Sequence, residues 1–278
     1  MRCSLNVSFH FPGALLEASL DGARAAGFRT VELLDPYAVE LDDLERAVRS
    51  RGMRVDLFNL PMGDFAAGER GIAGDPDRRE EFRRGVDQAI TIGERIRATK
   101  VNALAGRRLA GHSEATQLAC CIEQLGWAAD RLATAGVAVN TELLNPVESP
   151  GLLLRDLDRV RTVIADLDGR VGLQLDVYHL QRTQGELLPT IRACADITGH
   201  VQIADAPDRT EPGSGEINYD TVLAAIAATG YDGLDVDEFE DFGPVQHFRD
   251  DFIAGWIAVR EAVAARRATQ TQGARVSG

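Results

Sequence analysis

Residues 171–179 read VGLQLDVYH, an apolar run that ends on Asp176 and is followed three positions later by His179. A short apolar segment rich in branched side chains and closed by a carboxylate is the pattern of a strand buried on both faces of a parallel sheet, with a polar group at its C-terminal end. The same pattern recurs on either side. Working outward, candidate strands fall at 3–8, 30–33, 54–59, 100–104, 137–142, 171–176, 200–203 and 234–238. Longer segments of helical periodicity lie between them, among them LLEASLDGARAAG, DLERAVRSRG, REEFRRGVDQAITIGERI and the stretch 113–135. Gly27, Gly52 and Gly136 each stand just before the next strand, where a left-handed helix C-cap is expected.

Eight such units in 278 residues predict the α/β class and a closed (β/α)8 TIM barrel, because closure removes the exposed edges that an open sheet would have to protect. One barrel domain is expected over 1–266, and the polar, aperiodic 267–278 reads as a disordered tail. In a barrel of this kind the site belongs at the C-terminal ends of the strands. Two connections on that side are long, 61–77 and 204–218, and long βα loops carry binding or lid functions.

Composition removes several function classes. With 43 acidic against 30 basic residues the net charge is -13, which repels a nucleic-acid backbone. Cys3, Cys120, Cys121 and Cys194 lack CxxC spacing and two are adjacent, so reduced, buried thiols are expected rather than a disulfide framework or a zinc site. No apolar run approaches the ~20 residues of a membrane span, and the N-terminus has no basic-then-apolar leader pattern. A cytoplasmic protein without membrane contact is the expectation.

Four polar residues interrupt or close apolar strand patterns on consecutive units: Glu142, Asp176, Gln202 and Glu238. Any one of them alone reads as a helix cap or a loop acid. Three carboxylates clustered at buried strand ends are costly without a compensating cation, so together they predict a metal site. Hard oxygen ligands, three carboxylates and one amide, favour Mg2+ or Mn2+ over zinc, and Co2+ also fits. His179 is placed to turn its ring into the same mouth. Arg209, in the 204–218 loop, offers a cation to a substrate or to the glutamates. The loop beginning NLPMGDFAAGERG at Asn59 reads as a flap over a small ligand, from which Arg70 meets an anionic substrate group. GSGE at 213–216 is too short for a dinucleotide fingerprint.

These segments resemble the hydroxypyruvate isomerase family of the xylose-isomerase-like barrels. The resemblance runs from about Cys3 to about Trp256 and is carried by NLPMGDFAAGERGIAGDP, VNALAG, TELLNPVESPG, LDVYHLQRTQGEL and HVQIADAPDRTEPGSGEINYD. It implies that the family's metal ligands fall on Glu142, Asp176, Gln202 and Glu238, that Glu142 and Glu238 are the catalytic acid and base, and that His179 and Arg209 lie near the substrate. It further implies interconversion of an α-hydroxy ketone and an α-hydroxy aldehyde through an enediolate, in the family hydroxypyruvate with tartronate semialdehyde, with the divalent metal as Lewis acid. Two departures stand out. The last glutamate is followed by Phe239-Glu240-Asp241 where the family has an aromatic, Lys and Pro, and Ala206-Pro207-Asp208-Arg209 replaces Asn-Pro-His-Arg. Glu240 at a substrate-facing position predicts a pocket less suited to hydroxypyruvate and better suited to a neutral ketose or aminosugar-like compound. A ketose 3-epimerase on the same metal site is the alternative enzyme, and a barrel reused as a sugar-binding module the alternative without catalysis. A metal-dependent endonuclease is disfavoured by the charge. A homodimer formed through outer helices and loops is the expected assembly.

Overall fold

In a computed structural model that describes residues 4–10, 13–25, 27–210 and 212–231, seven strands form one parallel sheet in chain order. They are β1 (Leu5–Asn6), β2 (Thr30–Leu33), β3 (Arg54–Asn59), β4 (Lys100–Asn102), β5 (Ala138–Glu142), β6 (Val171–Asp176) and β7 (Thr198–Gln202). Nine α-helices accompany them: α1 (Val7–His10), α2 (Leu16–Ala25), α3 (Leu41–Ser50), α4 (Arg79–Ile96), α5 (Glu114–Ala133), α6 (Leu157–Ala165), α7 (Val177–Thr183), α8 (Leu187–Ala193) and α9 (Tyr219–Ala228). The expected eighth strand at 234–238 and the tail lie outside the described residues. Two strands are shorter than the sequence pattern suggests. β1 gives way to α1 at Val7, and β4 stops at Asn102 because the carbonyls of Leu104 and Ala105 accept instead from the amides of Ala73 and Gly74, at 3.3 and 2.8 Å.

The sheet is rolled into a barrel wall. Gln202 on β7 donates to Glu32 on β2 at 2.6 Å, although strands two and seven of a flat sheet would stand about 24 Å apart. Register then stacks the inward side chains in layers. Asn102 lies level with Asn140, Asn140 with Gly172, Glu142 with Gln174, Gln174 with His200, and Asp176 with Gln202. Leu173 and Leu175 alternate to the other face, into the apolar core between sheet and helices. Gly172 and Gly199 leave room for Asn140: a Cβ on either would overlap its Oδ1.

The long loop after β3 differs from an open flap. Gly71 pairs with Ala105 in an isolated antiparallel bridge, and Arg107 donates to the Gly68 carbonyl at 2.7 Å, so 71–74 are stitched to the loop after β4. Only the tip, with Phe65 at 40% exposure, is left to solvent. Cys120, Cys121 and Cys194 are buried free thiols. Among the described residues no helix is long and apolar enough to cross a membrane.

Gly71 has φ 96°, and a Cβ there would overlap the Leu104 carbonyl oxygen, whereas Gly136, the C-cap before β5, has φ 70° with open space around it. Gly71→Ala is therefore expected to lower stability by about 2–4 kcal/mol and Gly136→Ala by only about 1 kcal/mol, the left-handed penalty alone. Urea midpoints of the two variants against wild type check the contrast.

Candidate active site

Glu142 ends β5 and Asp176 ends β6, and both carboxylates are buried at the barrel mouth. Glu142 Oε2 accepts from Asn102 Nδ2 at 2.8 Å and from Gln174 Nε2 at 3.0 Å, which leaves Oε1 turned toward His179 Nε2 at 3.7 Å. Asp176 caps α7, its Oδ1 accepting from the His179 amide at 3.1 Å, while Oδ2 stands 3.8 Å from His179 Nε2. Burial, and then the charge of Asp176, push the Glu142 carboxyl up to about 8.

The histidine is held by Asn145. Its Nδ1 lies 3.2 Å from the Asn145 amide nitrogen and 2.8 Å from Asn145 Nδ2. A backbone N–H can only donate, so Nδ1 accepts and the neutral ring carries its proton on Nε2, facing the two carboxylates. Burial, opposed by Asp176, holds the imidazole below its ordinary pKa. His179 is thus built as a donor into the mouth.

Gln202 joins through Gln174. The same Gln174 Nε2 that serves Glu142 also donates to Gln202 Oε1 at 2.9 Å, and Gln202 Nε2 donates to Glu32. The Asn102 and Gln174 amide oxygens are buried without a hydrogen-bond partner, so both amides have their NH2 groups turned to Glu142 at the expense of their acceptors. That donor set fits a divalent cation. Ligand atoms of Glu142, Asp176 and His179 lie within 4.8 Å of one another in the buried mouth, two of them hard carboxylate oxygens and one an imidazole nitrogen. The predicted ligand Glu238 and the predicted substrate contact Glu240 lie outside the described residues.

Arg209 reaches the same place from the loop after β7. Its Nη2 donates to Asp176 Oδ2 at 3.3 Å, its guanidinium lies 5.2 Å from the Tyr178 ring centroid, and Nη1 is 4.0 Å from Glu148 Oε2. Buried Asp205 organises that loop, accepting from the amides of Ala206, Gly213 and Ile217 at 2.9, 2.7 and 3.0 Å. Arg70 is placed differently. Its Nη1 donates to the carbonyls of Phe65 and Glu69 at 3.1 and 2.7 Å and its guanidinium stacks 3.9 Å over Phe65, so it is folded back on its own loop. Burial, then Arg107, lowers its pKa, and Glu148 opposes them.

Sequence reasoning passed over Asn145 and Glu148, which hold His179 and the Tyr178 hydroxyl, and an entire polar layer beneath the mouth. In that layer His200 Nε2 is 2.9 Å from Glu32 Oε1, and Lys100 Nζ is 3.3 Å from Asp56 Oδ2 and 3.5 Å from His200 Nδ1. The available signal was a charged residue inside an otherwise buried strand, as in TVEL and RVDLFN.

The family model described as xylose isomerase-like TIM barrel matches residues 20–250. Hydroxypyruvate isomerase of Escherichia coli (strain K12) is 39% identical over 84% of this chain and 91% of its own length. The 2-oxo-tetronate isomerase of Cupriavidus necator is 34% identical over 84% of this chain and 90% of its own. Among solved structures, AP endonuclease, family 2 from Brucella melitensis superposes with a TM-score of 0.79 at 33% identity, covering 87% of this chain and 94% of that one. The chain therefore belongs to the hydroxypyruvate isomerase family within the xylose isomerase-like TIM barrels.

Proposed function

We propose that this isomerase interconverts a small α-hydroxy ketone and its α-hydroxy aldehyde by moving a proton between neighbouring carbons, with a divalent metal held by Glu142, Asp176, Gln202 and Glu238. The observation that carries the reading is the buried pair Glu142 and Asp176, converging with His179 at the ends of adjacent strands. Bound there, Mg2+, Mn2+ or Co2+ supplies Lewis-acid polarisation of the substrate carbonyl and compensates enediolate charge. Glu142 has one oxygen pinned by two amides and the other turned away from them to take a proton from carbon, and Glu238 is the second acid–base residue of the pair. His179 donates from Nε2 to a substrate oxygen, and Arg209 holds Asp176 and lies near the substrate.

Two of the similar relatives are named for acids, hydroxypyruvate and 2-oxo-tetronate, and this supports a carboxylate-bearing substrate over the neutral ketose that Glu240 suggested. The net charge of -13 supports a small molecule over a nucleic acid.

Proton NMR in D2O with hydroxypyruvate tests this directly. Protein stripped with EDTA is expected to show no deuterium incorporation, and Mn2+ or Mg2+ to restore it together with tartronate semialdehyde signals; exchange at full rate in stripped protein would overturn the metal reading. Glu142→Gln is expected to lower exchange by about 10²- to 10⁴-fold, with a melting temperature equal to or above wild type, since it removes an ionisable group from beside Asp176 while still accepting from Asn102 and Gln174. Arg209→Met is expected to lower kcat/KM by about 10- to 100-fold, the worth of a hydrogen bond to a charged group, as read from initial rates.

A further inference from the structure

A continuous run of hydrogen bonds descends through the barrel from Glu142 to Lys100. Gln174 donates to both Glu142 and Gln202, Gln202 donates to Glu32, and His200 bridges Glu32 to the Lys100 and Asp56 pair. The His200 ring stands between two carboxylates: its Nδ1 lies 3.5 Å from both Lys100 Nζ and Asp56 Oδ2, and its Nε2 donates to Glu32 Oε1 at 2.9 Å. Ser4 Oγ also donates to that oxygen, at 2.6 Å. Glu32 Oε2 remains for Gln202 Nε2, at 2.6 Å. Glu32 is the node at which every neighbour donates inward, and it is 4% exposed, so no water substitutes for these partners.

An amide side chain is nearly symmetric in shape but not in chemistry: its oxygen can bind a cation and its NH2 cannot. We propose that Glu32 is a positioning residue for the metal centre, its carboxylate capturing the Gln202 NH2 group and so turning the Gln202 amide oxygen up toward the Gln174 and Glu142 side of the mouth. The inference rests on the metal reading given above and assigns no ion to the lower layer. Although Glu32, Asp56 and His200 also bring ligand atoms within 4.8 Å of one another, the Lys100 ammonium at 3.3 Å from Asp56 already supplies the positive charge there.

The test is Mn2+ binding to EDTA-stripped, full-length protein by titration calorimetry, with melting temperature recorded for each variant. Wild type is expected to bind one Mn2+. Glu32→Gln, isosteric but with its oxygen held by Ser4 and His200 so that its NH2 meets Gln202 and turns that amide over, is expected to bind about 10- to 100-fold more weakly, the usual effect of removing an outer-sphere partner, with the fold retained. Adding Gln202→Glu to Glu32→Gln is expected to recover most of the affinity, because a carboxylate offers oxygen in both orientations and Gln at 32 can donate to it. A merely structural role for Glu32 predicts no such rescue. Wild-type affinity in Glu32→Gln, failure of the double variant to recover, or a second Mn2+ equivalent lost with Glu32 would each overturn the inference. Absence of Mn2+ binding to wild type would instead overturn the metal reading beneath it. Should Glu32→Gln not fold, Glu32→Asp, which keeps the charge but shortens the reach to Gln202, carries the same expectation.

Discussion

Two carboxylates buried side by side set the terms for everything around them. Glu142 and Asp176 sit at the ends of adjacent strands with little access to water, where burial, and then the charge of Asp176, raise the pKa of Glu142. Every neighbour is a donor. Asn102 and Gln174 turn NH2 groups toward Glu142 and leave their own oxygens without partners, the α7 N-terminus donates to Asp176, and His179 is locked in the tautomer that faces both acids. Such an arrangement is poor for stability and good for chemistry, because the stabilisation these residues forgo among themselves becomes available to a bound cation and substrate.

The same constraint explains a polar barrel interior. Barrels of this class fill their centre with branched apolar side chains in layers. Here the inward positions of β2 to β7 carry Glu32, Asp56, Lys100, Asn102, Asn140, Gln174 and His200 instead. Each ionic group in this network has an opposite charge or a donor beside it, while the unsatisfied atoms fall on the neutral amides of Asn102, Asn140 and Gln174. Burial alone would push Glu32 up, yet His200, Ser4 and Gln202 together hold its carboxyl below the ordinary value.

The legible part of this architecture is the part that repeats. β2, β3 and β6 begin and end where the alternation of apolar strands and helical segments places them, as does α4, and Gly27, Gly52 and Gly136 take the left-handed backbone their positions require. Glu142 and Asp176 are visible because each ends an apolar run, and the structure brings them together with His179 and Arg209. Arg70 was legible as a cation on the right loop but not in its direction, since its capture by the Phe65 and Glu69 carbonyls is a tertiary accident of a loop stitched to its neighbour. Glu32 and His200 were illegible for a different reason. Their contact spans 168 residues of sequence, and within TVEL the glutamate passes for one polar residue in a short strand until closure of the barrel sets it opposite β7.

Closure also accounts for where backbone strain is placed. Arg209 adopts φ 55°, a left-handed conformation that a branching side chain resists by about 1–2 kcal/mol. The bridge between Asp205 and Thr210, with bonds of 2.8 and 3.2 Å, spans the turn that holds it, and the buried Asp205 carboxylate ties the loop's three amides from inside. Without that framework an exposed loop would relax and carry the guanidinium away from Asp176. Rigidity is concentrated at Asp205 so that flexibility can be denied to Arg209, and the strain is tolerated because the hydrogen bonds that enforce it are out of water's reach. The cation next to Asp176 is therefore a property of the loop's buried anchor as much as of the arginine itself.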